Sequence, residues 1–301
     1  MRRSPLVLAV VSLLMVLAGG CNSAIERDGS EVRVVASTAL IAEFASVVAG
    51  DDAIVVGLIP SGVDLHSFEP APAIAAAIAQ ADLVLVNGHN LEEGLLEVIE
   101  QNVSDGVRIV AVSDGIERLL AGGDGDAGED AVDPHLWLDV RNAIHYVVQT
   151  RDALIEVDPG HESGYRERAA AYLEELEALD AELVLQMADL SDEARRLVVF
   201  HDAYGYFAAA YGLELLAAVL PAGAQQDPAA GTVAELIGLL QESGVSAVFA
   251  EPQFNSAVLE SIASEADVEV GALYSTFAGE VDSYIELMRA NADALSDVGH
   301  R

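Results

Sequence analysis

Three histidines occupy comparable places along this chain and could together bind a metal ion. His66 lies in the segment PSGVDLHSFEP, His135 in DPHLWLD, and His201 in LVVFHDAYGYF. Imidazole nitrogen suits zinc and other late transition metals, whereas calcium and magnesium prefer oxygen ligands. A single histidine is more often a hydrogen-bonded structural residue. The metal hypothesis therefore depends on whether the fold brings all three together.

The elements that must position them are short apolar runs alternating with amphipathic segments. Continuous apolar runs of this length predict buried strands of parallel sheets, covered by helices on both faces. The predicted strands form two sets of four, at 31–37, 53–59, 82–87 and 107–112, and at 196–201, 213–220, 245–251 and 268–274. The predicted helices between and after them cover 39–49, 70–80, 92–102, 203–211, 232–243, 255–265 and 281–295. We expect an α/β protein of two domains, each with a four-stranded parallel sheet flanked by helices.

A single long helix is predicted between the two sets of strands. Within residues 163–190 apolar side chains recur at a spacing of three to four, and neither glycine nor proline interrupts the segment after its start. The predicted buried stripe comprises Tyr165, Ala169, Tyr172, Leu176, Leu179 and Leu183. At about 1.5 Å per residue the helix would be roughly 40 Å long and act as a rigid connection. The predicted domains are 31–160 and 192–301, joined by a linking helix at 161–191.

On this map each of the three histidines lies beyond the carboxyl end of a predicted strand. Open parallel sheets present their binding crevices at that edge. His66 and His135 belong to the first domain and His201 to the second, so the three imidazoles can meet if the domains face each other. The remaining four histidines favour structural or surface roles: His89, His145, His161 and His300. Of these, His89 also follows a strand and is a candidate for the rim of the cleft.

The N-terminus is typical of an exported protein. Arg2 and Arg3 precede a short apolar run at 6–18, which predicts a signal peptide over 1–20. Cys21, the only cysteine of the chain, follows this segment directly, and the arrangement resembles a bacterial lipoprotein signal. We expect lipidation of Cys21, a lipid-anchored linker at 21–30, and an extracytoplasmic protein held at the cell membrane.

The net charge and the cysteine content exclude several kinds of binding partner and bond. A formal net charge of −36 argues against nucleic acid and against anionic lipid surfaces, and its simplest explanation is solubility. With no cysteine besides Cys21, the chain has no disulfide and no thiolate metal site. We expect a monomer.

Five motifs of the chain resemble those of a known family of metal-binding proteins. These motifs are PSGVDLHSFEPAP, ADLVLVNGHNLEE, DPHLWLDVRNAI, VVFHDAYGYFAAAYGLE and AVFAEPQFNSAVLESIA, which are similar in order to those of the lipoproteins that bind metal for zinc and manganese ABC importers. The resemblance implies two α/β domains joined by one helix, with the metal between them. It also implies that His66, His135 and His201 are the metal ligands. Manganese-type relatives usually carry a carboxylate at the position of His201, so the resemblance is to the zinc type.

Two departures from the family pattern concern the site. Many relatives have an aspartate ligand after the last strand, where this chain has Ser275. Water or a carboxylate from elsewhere could complete the coordination, and the candidates for a fourth ligand or supporting group are Glu251, Ser275, Glu69 and Asp282. Zinc-type relatives often have a histidine-rich loop before His135, whereas this chain has acidic residues over 124–130, which either collect cations weakly or form a solvated loop without a role.

The function implied is capture of Zn²⁺ outside the cytoplasm and delivery to an ABC-transporter permease in the membrane, without catalysis. Mn²⁺ is the alternative metal. Three histidines with an open position also describe a catalytic zinc, with Asp202 or Glu251 as the base, so a zinc-dependent hydrolase is the rival reading. An adhesin of the same family, with a role in cell adhesion, is a further alternative.

Overall fold

The computed structural model of the chain describes residues 31–119, 132–220 and 228–299. The predicted signal peptide, Cys21 and its linker, the acidic segment 124–130 and His300 lie outside the described residues. Within the described part of the chain, no helix is both long and apolar enough to cross a membrane.

The first four strands form one parallel sheet in the order β2-β1-β3-β4. Its strands are β1 (Val32–Thr38), β2 (Ala53–Ile59), β3 (Leu83–Val86) and β4 (Arg108–Ala111), and its helices are α1 (Ala39–Ala49), α2 (Pro72–Ile78) and α3 (Glu93–Asn102). Every side chain of β3 is buried, as expected for a central strand covered on both faces.

The second sheet repeats this topology in the order β6-β5-β7-β8, again with parallel pairing. Its strands are β5 (Arg196–His201), β6 (Glu214–Leu220), β7 (Ala247–Ala250) and β8 (Glu269–Ala272), and its helices are α6 (Gly205–Tyr211), α7 (Ala230–Ser243), α8 (Ala257–Ala266) and α9 (Tyr284–Gly299). The predicted fold class is therefore confirmed. Predicted strand ends differ from these bounds by a residue or two, because a strand ends where its ladder stops and not where apolar residues stop.

Two helices, α4 (Val140–Val157) and α5 (Glu162–Ala188), connect the sheets. The 27 residues of α5 form one unbroken helix, and all six residues of its predicted stripe are buried. The stripe faces α1, α4 and α9, which is why an otherwise acidic helix is held in place.

The apolar core is continuous from the first sheet to the second. Val34 and Leu85 of the first sheet belong to the same buried cluster as Leu197 and Val199 of β5. Val198 and Phe200, which alternate with them on β5, face a separate cluster beneath α7 and α8. The main cluster includes residues of both sheets and of α5, so it marks no boundary between two domains. The domain boundaries drawn from the sequence therefore stay a prediction.

Candidate metal site

The structure brings His66, His135 and His201 together. Each offers one ring nitrogen to a group whose ligand atoms all lie within 4.8 Å of one another, and among the described residues this group contains only these three. The Nε2 atoms of His66 and His135 are 3.1 Å apart. The ring centroids are separated by 4.9 to 5.3 Å, and the rings meet edge to face.

His66 and His135 each follow a turn of the same type. Asp64 and Asp133 each stand two residues before a histidine, and their Oδ1 atoms accept hydrogen bonds from the backbone N–H of His66 at 3.0 Å and of His135 at 2.9 Å. A short aspartate side chain that binds the backbone two residues further on makes an Asx turn. The repeated pattern Asp-x-His is a sequence signal that could have identified both aspartates as supporting residues.

His201 reaches the group from the second sheet, where it is the last residue of β5. Glu251 directly follows β7, the strand that neighbours β5. Chain order reverses between these two strands, and parallel sheets bind ligands beyond the carboxyl ends of strands at such a point. His201 and Glu251 therefore meet at the sheet's own binding edge.

Two of the three histidine rings are oriented by carboxylates that contact their Nδ1 atoms. Oδ1 of Asp133 lies 2.8 Å from Nδ1 of His135, and Oε1 of Glu251 lies 3.1 Å from Nδ1 of His201. A carboxylate on Nδ1 leaves Nε2 to bind metal, and this is the common arrangement around metal-binding histidines. The Nε2 atom of His201 is buried and has no hydrogen-bond partner in the structure. A buried nitrogen left in this state calls for a ligand.

Two of the three rings are held neutral, which is the form that binds metal. Burial, together with the charges of His135 and His201, lowers the pKa of His66 to about 3. Burial and then the charge of His201 lower the pKa of His135 well below its usual value. Burial also lowers the pKa of His201, but the charge and hydrogen bond of Glu251, with the charges of Asp64 and Asp202, raise this pKa overall. Burial raises the pKa of Asp133 to about 7.

The loop that carries His135 is fixed at both sides. Asn87, at the end of β3, donates a hydrogen bond to the carbonyl of Pro134 at 2.9 Å. Nε1 of Trp137 donates to the carbonyl of Ser275 at 2.8 Å, and the hydroxyl of Tyr284 donates to the carbonyl of Trp137 at 2.6 Å. Trp137 therefore anchors the loop. Asn87 and Tyr284 were missed, because their partners are backbone carbonyls far away in the chain.

The four candidates for a fourth ligand occupy different places. Glu251 and Ser275 are buried beside His201, with Glu251 on Nδ1 and Ser275 bonded to Glu251. Glu69 and Asp282 are exposed, and neither joins the three-histidine group. Asp282 instead lies close enough to Glu43 to raise its pKa. A ligand role for any of the four stays a prediction.

The other described histidines lie outside the group. His89 has a left-handed backbone conformation with φ of 53° and is half-buried. His145 lies on α4, with Nε2 2.8 Å from the carbonyl of Asp114. His161 is close to Asp158, with its Nδ1 2.6 Å from Oδ2.

Comparisons with known proteins found similar sequences and similar folds. The sequence model of a family described as zinc-uptake complex component A, periplasmic, matches residues 34–298. The manganese-binding lipoprotein MntA of Halalkalibacterium halodurans is 31% identical over 294 residues, which are 95% of this chain and 95% of that protein. The iron-binding protein YfeA of Yersinia pestis is 30% identical, covering 88% of this chain and 85% of its own. Among solved structures, the periplasmic zinc binding protein TroA from Treponema pallidum superposes with a TM-score of 0.83 at 27% identity, covering 90% of this chain and all of that one.

Proposed function

Since the chain belongs to the family of zinc-uptake complex component A, we propose that it captures zinc outside the cytoplasm and delivers it to a membrane importer. Membership makes it the extracytoplasmic metal-binding component of an ABC importer. The family consists of substrate-binding transport proteins and not of enzymes, which sets the zinc hydrolase aside. The metal is cargo here, bound and then released unchanged.

One observation carries the proposal. Three imidazoles from two sheets meet at their ring nitrogens, while carboxylates hold two of them from behind. A tetrahedral zinc ion with Zn–N distances of about 2.0–2.1 Å separates two ligand nitrogens by about 3.3 Å. The separation of 3.1 Å between Nε2 of His66 and Nε2 of His135 is close to that value.

The choice of zinc over manganese rests on ligand chemistry. Imidazole suits zinc, whereas manganese favours carboxylate and other oxygen ligands. The three-histidine group contains no carboxylate among the described residues, and both oxygens of Glu251 are hydrogen bonded elsewhere. The name of MntA, a manganese-binding lipoprotein, supports the alternative. The ligand set of this chain is the reason for preferring zinc.

Burial suggests how the ion enters and leaves. His135 and His201 are buried, while His66 is only half-buried at the end of its loop. Zinc would therefore meet His66 first and then the two rings already oriented by Asp133 and Glu251. Release to the permease would follow the reverse order, because the His66 loop is the part of the site nearest to solvent.

Attachment to the membrane is a separate part of the proposal. Lipidation of Cys21 would keep the protein beside its permease. The relatives' names include lipoproteins, such as MntA, which supports this reading. A monomer is proposed because one chain supplies all three histidines. The adhesin alternative stays a prediction.

The proposal is tested by metal analysis and competition. The mature protein, purified without chelator, is expected to contain zinc at close to one ion per chain. Metal-free protein titrated with equal concentrations of Zn²⁺ and Mn²⁺ should bind zinc almost entirely. If manganese remained bound under these conditions, the manganese reading would replace the zinc reading. If neither ion bound, the three-histidine group would not be the site.

A further inference from the structure

Ser275 touches the supports of two metal-site histidines at once. It lies three residues beyond β8, is only 3% exposed, and follows the second sheet, whereas His135 belongs to a loop of the first. Its side chain and its backbone carbonyl bind different partners.

The hydroxyl of Ser275 is linked to His201 by way of the Glu251 side chain. Oγ of Ser275 donates a hydrogen bond to Oε2 of Glu251, whose Oε1 lies 3.1 Å from Nδ1 of His201. Nε2 of Gln253 donates to the same Oε2 at 2.7 Å and to Oγ of Ser275 at 3.1 Å. Both oxygens of Glu251 are therefore occupied, and its carboxylate cannot rotate towards the ring nitrogens without breaking one of these contacts.

The backbone carbonyl of Ser275 is linked to His135 by way of the Trp137 side chain. It accepts the hydrogen bond of Trp137 Nε1, a contact between residues 138 positions apart. The indole ring of Trp137 packs against the ring of His135 with centroids 5.4 Å apart. A displacement of residue 275 would therefore disturb the support of His135 as well as that of His201.

We propose that Ser275 is a positioning residue that couples the orientation of His201 to that of His135. This inference rests on the proposed zinc-binding function. Ser275 acts through Glu251 and Trp137 and is not itself a zinc ligand. Its hydroxyl hydrogen is committed to Glu251, on the Nδ1 side of His201, and zinc in proteins is bound by cysteine, histidine and carboxylates.

Two substitutions distinguish positioning from ligation. Ser275→Ala removes the bond to Glu251 and is expected to lower Zn²⁺ affinity roughly tenfold, the lower end for residues that orient ligands. Glu251→Ala removes the group through which Ser275 acts on His201, so adding Ser275→Ala to it should cause no further loss of Zn²⁺ affinity. A further loss of about tenfold in the double variant would show that Ser275 binds zinc directly. That result would overturn the inference.

Coupling is tested with Trp137→Phe, which keeps an aromatic ring but removes the N–H donor. If Ser275 links the two histidines, the Zn²⁺ affinity loss in the double variant should differ from the product of the two single losses, since residues of one network are not additive. Losses that multiply would contradict the coupling. The visible spectrum of Co²⁺-loaded protein should also shift in Ser275→Ala, because it reports the geometry of the ligands.

Ser243→Ala is the matched control. Ser243 is half-buried at the end of α7 and donates one hydrogen bond, to the carbonyl of Leu240 at 3.3 Å. It should show no change in the Co²⁺ spectrum. If the wild-type protein binds zinc and Ser275→Ala binds it equally well, the inference fails while the proposed function stands. If the wild type binds no zinc, the proposed function fails first.

Discussion

The Nε2 atoms of His66 and His135 lie 3.1 Å apart, although 69 positions separate the two residues in the chain. Two neutral imidazoles can approach so closely when one carries its ring hydrogen on Nε2 and donates it to the other, or when a cation lies between their lone pairs. Burial and neighbouring histidine charge lower the pKa of both rings, so an added proton is disfavoured there. A metal ion satisfies both lone pairs and that of His201 Nε2.

Removal of His201 tests the three-ligand site. We expect His201→Ala to lower Zn²⁺ affinity at least tenfold, or about 1.4 kcal/mol, because one nitrogen ligand is lost. Competition with a chromogenic chelator measures the change. His145→Ala is the control, since that ring lies on α4 against the carbonyl of Asp114 and should be silent. If a folded His201→Ala protein bound Zn²⁺ as tightly as the wild type, the three-histidine site would be contradicted.

Gly205 provides a test that touches no ligand. A Cβ atom at this first residue of α6 would lie 2.7 Å from Oδ2 of Asp133, so the carboxylate that orients His135 would have to move. We expect Gly205→Ala to weaken Zn²⁺ binding about tenfold or more, as loss of a supporting carboxylate does. Isothermal titration at neutral pH gives the comparison.

Gly238→Ala is the control for this substitution. Gly238 lies within α7, and a Cβ there would meet nothing within 4 Å. The variant should bind zinc normally and gain roughly 0.5–1 kcal/mol of stability, because glycine is unfavourable within a helix. Should Gly205→Ala also bind normally, the orienting role of Asp133 would be contradicted.

Glu43 makes stability depend on pH. Burial, and then the charges of Asp282 and Glu286, raise the pKa of Glu43 to about 7, despite the hydrogen bond of 2.9 Å that it accepts from the N–H of Tyr284. The folded chain therefore holds this proton more tightly than the unfolded chain, whose glutamate has a pKa near 4.5. The contribution of Glu43 to the free energy of unfolding falls as pH rises from about 4.5 to about 7.

The Glu43→Gln variant should lose this dependence, because glutamine keeps the acceptor oxygen without the charge. Relative to the wild type it should be more stable at pH 8, by on the order of 1 kcal/mol, with little difference near pH 4. Urea unfolding of metal-free protein at both pH values measures this. Glu177→Gln, on the exposed side of α5, is the control. A constant difference between wild type and Glu43→Gln at both pH values would refute the raised pKa.

The lipid anchor is tested at Cys21. Cys21→Ser leaves no thiol to acylate, so the protein should move from the membrane fraction to the soluble extracytoplasmic fraction, since stable attachment depends on the acyl chains. Zinc affinity of the purified protein should not change. Retention of the variant on membranes, after a salt wash, would show that something other than a lipid holds it.

Local patterns in the sequence determined most of the architecture. Apolar runs of β-branched residues predicted the eight strands, and the spacing of Tyr165, Tyr172 and Leu179 predicted the buried face of α5. These features follow from periodicity within a few residues. The positions of the three histidines after strands were also readable, because the carboxyl edge of a parallel sheet follows from strand order along the chain.

Tertiary structure alone decided how the site is supported. His201 and Glu251 are 50 positions apart, and Trp137 and Ser275 are 138 apart, so no local pattern encodes their hydrogen bonds. Such contacts depend on how two sheets pack across a shared core, and on which ring nitrogen faces each carboxylate. The sequence showed Ser275 where relatives have a ligand. Only the packing of the second sheet against the His135 loop placed that serine behind Glu251, because a side chain's partners are set by where its backbone is held.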